Sequence, residues 1–187
     1  ELLRWHGEGK LKPCITHRLP LERAVEGIRL LTDRQAHGKI VVELLADQAP
    51  ETVNSFVFLA QEGYFDGQRI HRLDTSIDVI QGGDPTGTGT GGPGYSIPDE
   101  LSGDESYGPG VLAMANAGPN TQGSQFFICH GSGASHLPKA YTIFGRLTAG
   151  QEVLNQIANV PVRPGAGGEN SSPVNPPKIE SIEITEA

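Results

Sequence analysis

The feature that most constrains this chain is a series of short apolar stretches separated by glycine and proline. Of its 187 residues, 25 are glycine and 14 are proline, so long regular elements are few. Many short strands with turn residues between them and few helices indicate a closed antiparallel β-barrel. The predicted strands are KIVVELL at 39–45, the segments 68–73, 79–82, 111–115, 125–129 and 142–147, and IESIEIT at 179–185.

Two segments have the apolar period of an amphipathic helix. The first begins at Pro50 and ends at Gly63, and its predicted inward face is Val53, Phe56, Val57, Leu59 and Ala60. The second is predicted to begin at Thr148, whose side chain would cap it while Gln151 completes a capping box. Its predicted inward residues are Val153, Leu154 and Ile157.

Charge divides the chain near residue 39. Residues 1–39 contain 8 Lys and Arg against 5 Asp and Glu, whereas residues 40–187 contain 6 against 17. An acidic body lacks the basic stripe that drives nucleic-acid association, so we expect no nucleic-acid partner. The split also predicts two parts, an appendage at residues 1–37 and a main domain at residues 38–187.

Membrane and secretory signals are not expected. The sequence has no run of about 18 apolar residues, and it does not open with a charged segment followed by an apolar one. Cys14 and Cys129 are the two cysteines, too few for a scaffold held by disulfides and better suited to a reducing compartment. We therefore expect a cytoplasmic protein without a membrane partner.

The appendage is predicted to be a short N-terminal α/β fragment, with helices near residues 1–9 and 20–38 and a strand-like CITHRLP between them. Over residues 1–42 its sequence resembles the C-terminal end of zinc-independent quinone oxidoreductases of the medium-chain dehydrogenase family. The segments that carry the resemblance are LLRWHGEGKLKPCITHRLPLERAVEGIRLL and AHGKIVV. These residues contain no strand, glycine turn and helix of a nucleotide-binding unit. We therefore transfer no activity and predict a packing appendage or a relic of gene fusion.

The main domain contains IHR, VIQGGDPTGTGTGGPGY, VLAMANAGPNTQGSQFFIC and YTIFG, in that order. In order and approximate spacing these motifs resemble cyclophilins, over residues 38–187. The resemblance implies a mainly β fold, an eight-stranded antiparallel barrel capped by two helices. It also implies a peptidyl-prolyl cis-trans isomerase that assists folding and binds proline-containing peptides and unfolded proteins. No cofactor or metal is needed, because only the partial double bond before proline is rotated.

The resemblance places the catalytic arginine of the family at Arg72, in IHR, and the glutamine that braces it at Gln81, in IQGGD. In the twisted transition state the prolyl nitrogen loses its conjugation, so a fixed donor there stabilises the transition state more than either ground state. Arginine suits this role because it is always charged and can be braced at one edge while donating from another. We predict that Arg72 and Gln81 are catalytic.

The resemblance also implies a groove for the substrate. Asn116 matches the residue whose backbone holds the chain beside the proline, between the small Ala115 and Ala117, and Gln125 matches a polar contact to the substrate backbone. The other predicted substrate-binding residues are Ile77, Val79, Phe127, His136, Leu137 and Tyr141. Adjacent strand residues face opposite sides, so Phe127 is assigned to the proline socket and Phe126 to the core. Met114 could belong to either.

One segment departs from the usual family pattern. HRLDTSIDVIQ is one residue longer and lacks the aromatic residue that commonly floors the proline socket, so Ile77 or Val79 would fill that place. Asp78 is expected to point to solvent. His136 stands where cyclosporin-sensitive cyclophilins have a tryptophan, which predicts weak binding of cyclosporin-type inhibitors. His71, His130 and His136 lack metal-ligand spacing, so no metal site is predicted.

Two other functions are possible on the residues alone. Gly87, Gly89 and Gly92 form a G-x-G-x-x-G pattern, but a nucleotide fingerprint must open a helix, whereas Pro93 and Pro98 follow here. We therefore predict a glycine-rich loop rather than a dinucleotide site. A proline-peptide-binding module with little or no turnover would use the same socket, and the sequence does not separate it from an isomerase.

Overall fold

The computed structural model describes residues 38–101, 103, 106–165 and 168–185. The predicted elements of the N-terminal appendage lie outside these residues. Two α-helices are described, α1 (Pro50–Gln61) and α2 (Gln151–Ala158), and a 3₁₀ helix spans Gly133–His136. The strands are β1 (Val41–Leu44), β2 (Arg72–Asp74), β3 (Val79–Gly82), β4 (Val111–Met114), β5 (Phe126–Cys129), β6 (Ile143–Ala149), β7 (Val162–Pro164) and β8 (Asn170–Pro173).

All of the strand pairs are antiparallel. Six strands form one sheet in the order β1-β6-β4-β5-β3-β2, and β7 and β8 form a separate hairpin. The prediction of a mainly β fold with eight antiparallel strands and two helices is confirmed. Within the described residues, the ladders form a sheet and a hairpin rather than one continuous hydrogen-bonded ring.

The core lies on one face of the sheet, where alternation along the strands collects the large apolar side chains. Phe56 of α1 packs there, with its ring centroid 5.7 Å from that of Phe126 and 5.1 Å from that of Phe144. Leu154 of α2 is fully buried in the same cluster. Met114 is 2% exposed and lies in this core, so it belongs to the core and not to the proline socket.

Helix α1 begins and ends where the sequence predicts. Pro50 occupies its first turn, where a missing N–H removes no intrahelical hydrogen bond. At the C-terminal end, the N–H of Gly63 donates to the carbonyl of Ala60 and the N–H of Tyr64 to that of Leu59, which is a Schellman motif with Gly63 at φ +67°. No helix in the described part of the chain is long and apolar enough to cross a membrane.

The predicted start of α2 at Thr148 is wrong. Thr148 belongs to β6, where its hydroxyl donates to the carbonyl of Val41 over 3.2 Å, and the helix begins at Gln151 after Gly150. Gly150 has φ +93°, and a Cβ on it would lie 2.3 Å from the carbonyl oxygen of Lys39. The close approach of the chain at Lys39 therefore requires glycine at the helix start.

The predicted C-terminal strand IESIEIT is also wrong as a named strand. Next to this segment the structure has an isolated antiparallel bridge between Arg69 and Lys178 rather than a strand. The N–H of Ile179 donates to the carbonyl of Gln68, at 2.9 Å. The hairpin of β7 and β8 was not predicted, because each of those strands ends in a proline and proline argues against a central strand.

Candidate active site

Residues of the predicted site lie on the face of the sheet opposite the core. Arg72 on β2 is the register partner of Gln81 on β3, Gln81 is the partner of Phe127 on β5, and Phe127 is the partner of Ala113 on β4. Directly opposed residues in a sheet project from the same face. The guanidinium, the amide and the aromatic ring are therefore brought together by strand register.

Three side chains hold the guanidinium of Arg72. Nη1 donates to Oε1 of Gln81 over 3.2 Å, and Nη2 donates to Oδ2 of Asp74 over 2.6 Å and to Oε1 of Glu169 over 3.1 Å. Arginine has five N–H groups, so among the described residues these contacts leave Nε–H and one N–H of Nη1 to donate to a bound molecule. The side chain is 30% exposed, which gives that molecule access.

Asp74 is a contact of Arg72 that the sequence analysis missed. Its Oδ1 accepts hydrogen bonds from the backbone N–H and the hydroxyl of Ser76, which closes the start of the loop between β2 and β3. Burial alone would raise the pKa of Asp74, but these hydrogen bonds and the charge of Arg72 outweigh it and hold the pKa below its usual value. The Asp-x-Ser spacing of an Asx turn was the available sequence signal.

Glu169 is the second missed contact of Arg72. It lies directly before β8, and its two carboxylate oxygens are 3.1 Å and 3.3 Å from Nη2 of Arg72. The two residues are 97 positions apart in the chain. No local pattern could have predicted this ion pair.

Gln125 connects Gln81 to the glycine-rich loop. Nε2 of Gln81 donates to Oε1 of Gln125 over 2.9 Å. Nε2 of Gln125 in turn donates to the carbonyls of Gly89, at 3.0 Å, and Gly91, at 2.9 Å. Gln125, predicted to contact the substrate backbone, thus uses its side chain to position Gln81, and through it Arg72.

The glycine-rich loop is organised by the carboxylate of Asp84, which is 1% exposed. Its oxygens accept backbone hydrogen bonds from Thr86, Thr88, Gly89 and Gly91. Burial alone would raise the pKa of Asp84, but these hydrogen bonds lower it to about 2. The loop opens no helix, as expected of a glycine-rich loop without a nucleotide fingerprint.

An apolar cluster, which we call the socket cluster, lies on the site face and is separate from the core. Its buried members are Val79, Tyr107, Val111, Ala113, Phe127, Cys129 and Ala134, and its half-buried members are Ile77, Ala115, Leu137, Tyr141 and Ile143. Phe127 is in this cluster and Phe126 is in the core, as predicted. Both candidates for the floor of the socket, Ile77 and Val79, are in it.

Tyr107 holds one side of the socket cluster and was not predicted. Its hydroxyl donates to the carbonyl of Tyr141 and accepts from the N–H of the same residue, each over 2.9 Å. The rings of Phe127 and Tyr141 meet edge to face, with centroids 5.5 Å apart. Burial raises the pKa of Tyr107 above its usual value, so it remains a hydroxyl at neutral pH.

Asn116, Ala117 and His136 lie at the rim. Nδ2 of Asn116 donates to the carbonyl of Ala140 over 2.7 Å, which ties the end of β4 to the segment before β6. Ala117 is exposed, and its N–H donates to the hydroxyl of Thr121. His136 is exposed at the end of the 3₁₀ helix, beside the half-buried Leu137.

The expectation that Asp78 points to solvent is wrong. Its Oδ2 accepts the N–H of Gly133 over 2.9 Å, and its carbonyl accepts the N–H of His130. Asp78 has φ +53°, a left-handed conformation that Asp tolerates better than most residues. Asp78 thus connects the loop between β2 and β3 to the 3₁₀ helix that leads to Leu137.

Two further titratable groups lie close to the site. The ring nitrogens of His71 are buried without a protein partner among the described residues, and burial lowers its pKa. Burial raises the pKa of Cys129 to about 12, so its thiol is not a nucleophile at neutral pH. In the described ranges, no three His, Cys, Asp or Glu side chains are grouped to hold a metal ion.

Comparison with known families gives two matches along the chain. The cyclophilin type peptidyl-prolyl cis-trans isomerase model matches residues 28–184, and a zinc-binding dehydrogenase model matches residues 1–42. The second match agrees with the resemblance of the N-terminal segment to a dehydrogenase. The two matches overlap at residues 28–42, so the cyclophilin match begins before the predicted boundary at residue 38.

Among curated relatives, a probable peptidyl-prolyl cis-trans isomerase B of Mycobacterium tuberculosis is 41% identical over 182 residues, covering 89% of this chain. The chain spans 57% of the length of that relative. Peptidyl-prolyl cis-trans isomerase B of Bacillus subtilis is 47% identical over 122 residues, covering 65% of this chain and 84% of the relative.

Solved structures agree with the sequence relatives. A cyclophilin type peptidyl-prolyl cis-trans isomerase of Cryptosporidium parvum has a TM-score of 0.71 and 36% identity, over 80% of this chain and 93% of its own. A second structure of that protein, in the presence of the dipeptide Ala-Pro, has the same TM-score. The match of the family model over residues 28–184, together with these relatives, shows that the chain belongs to the cyclophilin-type peptidyl-prolyl cis-trans isomerase family.

Proposed function

We propose that this chain catalyses cis-trans isomerisation of Xaa-Pro bonds in peptides and unfolded proteins. The observation that carries the proposal is the position of Arg72, braced by Gln81 on the neighbouring strand and on the same face as Phe127 of the socket cluster. Proline has no backbone N–H, so an apolar surface with few polar groups is suited to recognise its ring.

The barrier to rotation about an Xaa-Pro bond is about 18 to 20 kcal/mol, and it comes from amide conjugation. When the bond twists, the lone pair of the prolyl nitrogen becomes available to a donor. An N–H of Arg72 that Gln81, Asp74 and Glu169 leave unused would donate to it. A donor used only in the transition state contributes roughly 3 to 4 kcal/mol, or about 10²-fold to 10³-fold in rate, by analogy with an oxyanion hole.

The substrate chain would run beside Asn116, whose backbone is held in place by the hydrogen bond from its side chain to Ala140. The proline ring would lie on Phe127 and Leu137, with Ile77, Val79 and Tyr141 around them. Gln125 would act by positioning Gln81. Proline-containing peptides are therefore the proposed partners, in line with the Ala-Pro dipeptide present with the Cryptosporidium parvum relative.

The direct test is NMR exchange spectroscopy on a short Ala-Ala-Pro peptide with substoichiometric protein. We expect exchange cross-peaks between cis and trans forms at mixing times of about a second, at which uncatalysed exchange is too slow to produce them. Peptide resonances that shift on binding without exchange would support a proline-binding module with little turnover. If the peptide resonances show neither shifts nor exchange cross-peaks, both functions are excluded.

Three further properties of the chain are proposed as well. Residues 1–37 are proposed to be an appendage separate from the isomerase domain, supported by the charge split and by the dehydrogenase match. A cytoplasmic location is proposed from cysteine usage, since Cys129 is a buried free thiol. Weak binding of cyclosporin-type inhibitors is proposed from the exposed His136 at the rim.

A further inference from the structure

The charges around Arg72 do not balance. One guanidinium meets two carboxylates, those of Asp74 and Glu169, on the same nitrogen. No other ion pair is recorded for Arg72 within the described residues. With both carboxylates ionised, the three side chains together carry a formal net charge of −1 beside the proposed reaction centre, and a side-chain contact brings Asp74 and Glu169 together there.

The two carboxylates differ in accessibility. The side chain of Asp74 is 8% exposed. Its Oδ2 accepts from Arg72 and its Oδ1 accepts from Ser76, so its charge is neutralised by contacts within the protein. The side chain of Glu169 is 47% exposed. The unbalanced negative charge is therefore presented to solvent by Glu169, where a second cation can approach it.

The backbone holds Glu169 at this place. Its carbonyl accepts the N–H of Gly165 over 2.8 Å and that of Ser171 over 2.9 Å, at the turn that joins β7 to β8. Its carboxylate oxygens lie 3.1 Å and 3.3 Å from Nη2 of Arg72. A prolyl nitrogen that accepts from Arg72 would thus be within about 8 Å of the Glu169 carboxylate, given donor distances near 3 Å.

The order of the strands places Glu169 relative to the substrate. Asn116, beside which the substrate chain would run, follows β4, whereas Arg72 is on β2, at the far edge of the sheet order β4-β5-β3-β2. In the proposed binding mode the substrate runs from β4 toward β2, which brings the residue after the proline to the β2 edge. That residue is the one whose side chain can reach Glu169.

We propose that Glu169 is a specificity-determining residue that selects substrates with lysine or arginine directly after the proline. The inference rests on the proposed function and names the substrate class for the same site. An exposed ion pair changes an equilibrium roughly twofold to fivefold, and an acidic residue at the same position would be repelled by a comparable factor. The preference for lysine over glutamate should therefore be about tenfold at low salt.

The experiment compares kcat/KM for Ala-Ala-Pro-Lys, Ala-Ala-Pro-Gln and Ala-Ala-Pro-Glu by NMR exchange, without a coupling protease. In the wild type, the Lys to Glu ratio should be about tenfold at roughly 20 mM salt and fall toward unity at roughly 0.5 M, because exposed charges are screened. Glu169→Gln should reduce the ratio to within about twofold. Glu169→Asp keeps the charge and should retain most of the preference.

A matched control is Glu152→Gln, which removes an exposed carboxylate from α2 and should leave the ratio unchanged. Equal ratios for the wild type and Glu169→Gln would overturn the inference, and so would a Glu169→Asp variant without preference. If no peptide is turned over, the proposed isomerase activity is refuted, but the selectivity proposed for Glu169 is not. The inference is then tested by the Kd ratio of the same peptides in NMR titrations, read in the same way.

Discussion

Arg72 and Gln81 are direct register partners on β2 and β3, and Nη1 of Arg72 donates to Oε1 of Gln81 over 3.2 Å. Nine residues separate them in the chain. The hairpin between them places the proposed donor opposite the side chain that braces it. Asp74, at the end of β2, accepts a hydrogen bond from Nη2 of the same guanidinium.

Replacing Arg72 tests the proposed donor. Arg72→Ala should lower kcat/KM by about 10²-fold or more, because the donor acts in the transition state, and it should also lower stability, because the buried Asp74 loses its guanidinium partner. Arg72→Lys should recover little, since an ammonium cannot be braced and donate in the same geometry. Arg69→Ala, an exposed arginine close by in the chain, is the control. Activity of Arg72→Ala within about threefold of the wild type would refute the assignment.

Asp84 should make stability depend on acid pH. Its pKa falls from about 4 when unfolded to about 2 when folded, so the folded state binds the proton less readily. The contribution, about 2 to 3 kcal/mol, is complete above pH 4 and lost as the pH falls from about 4 to about 2. Asp84→Asn should lower the free energy of unfolding at pH 7 and flatten that part of the pH profile.

Urea unfolding at a series of pH values measures the effect of Asp84. The exposed Asp47→Asn variant is the charge control and should stay within about 0.5 kcal/mol of the wild type at pH 7. An Asp84→Asn profile that keeps the full slope between pH 4 and pH 2 would show that other carboxylates cause it.

Asp78 should support the loop that leads to Leu137. Asp78→Ala places a residue poorly suited to φ +53° and removes the acceptor for the N–H of Gly133, at a cost of about 1 to 3 kcal/mol. Asp78→Asn tolerates this φ and keeps an acceptor oxygen, so its stability should be close to the wild type. Chemical denaturation measures both variants, and equal stability of the two would contradict the structural role.

His136→Trp should strengthen cyclosporin binding. A tryptophan adds apolar area and an indole N–H at the rim, worth about 1 to 3 kcal/mol, or roughly tenfold to a hundredfold in affinity. Isothermal titration calorimetry compares the two proteins, and turnover of a short Xaa-Pro peptide should change little because His136 is exposed at the edge of the site. Equal affinities would remove His136 from the rim that contacts the drug.

Deleting residues 1–36 should leave the isomerase active. The deletion keeps β1, which pairs with β6 at the edge of the sheet, and the carbonyl of Lys39 that lies close to Gly150. NMR exchange measures turnover, and circular dichroism shows whether the remaining chain folds. A folded but inactive truncated protein would show that the appendage takes part in the reaction.

Short-range patterns in the sequence predicted most of the elements and the main site contacts. Alternation along β5 separates Phe126 into the core and Phe127 into the socket cluster, because neighbouring strand residues face opposite sides. Pro50 and Gly63 mark the ends of α1, because their effects on the backbone depend on local geometry. The resemblance of the motifs supplied the pairing of Arg72 with Gln81.

Only the tertiary structure decided contacts between distant parts of the chain. Glu169 reaches Arg72 across 97 residues, and Asp78 turns toward Gly133 across 55. Thr148, a plausible helix cap by its spacing, is instead held in β6 by a hydrogen bond to Val41. Such contacts depend on which strands are neighbours and in what register. Periodicity and turn chemistry carry information over a few residues, whereas the approach of two distant segments is set by how the whole sheet packs.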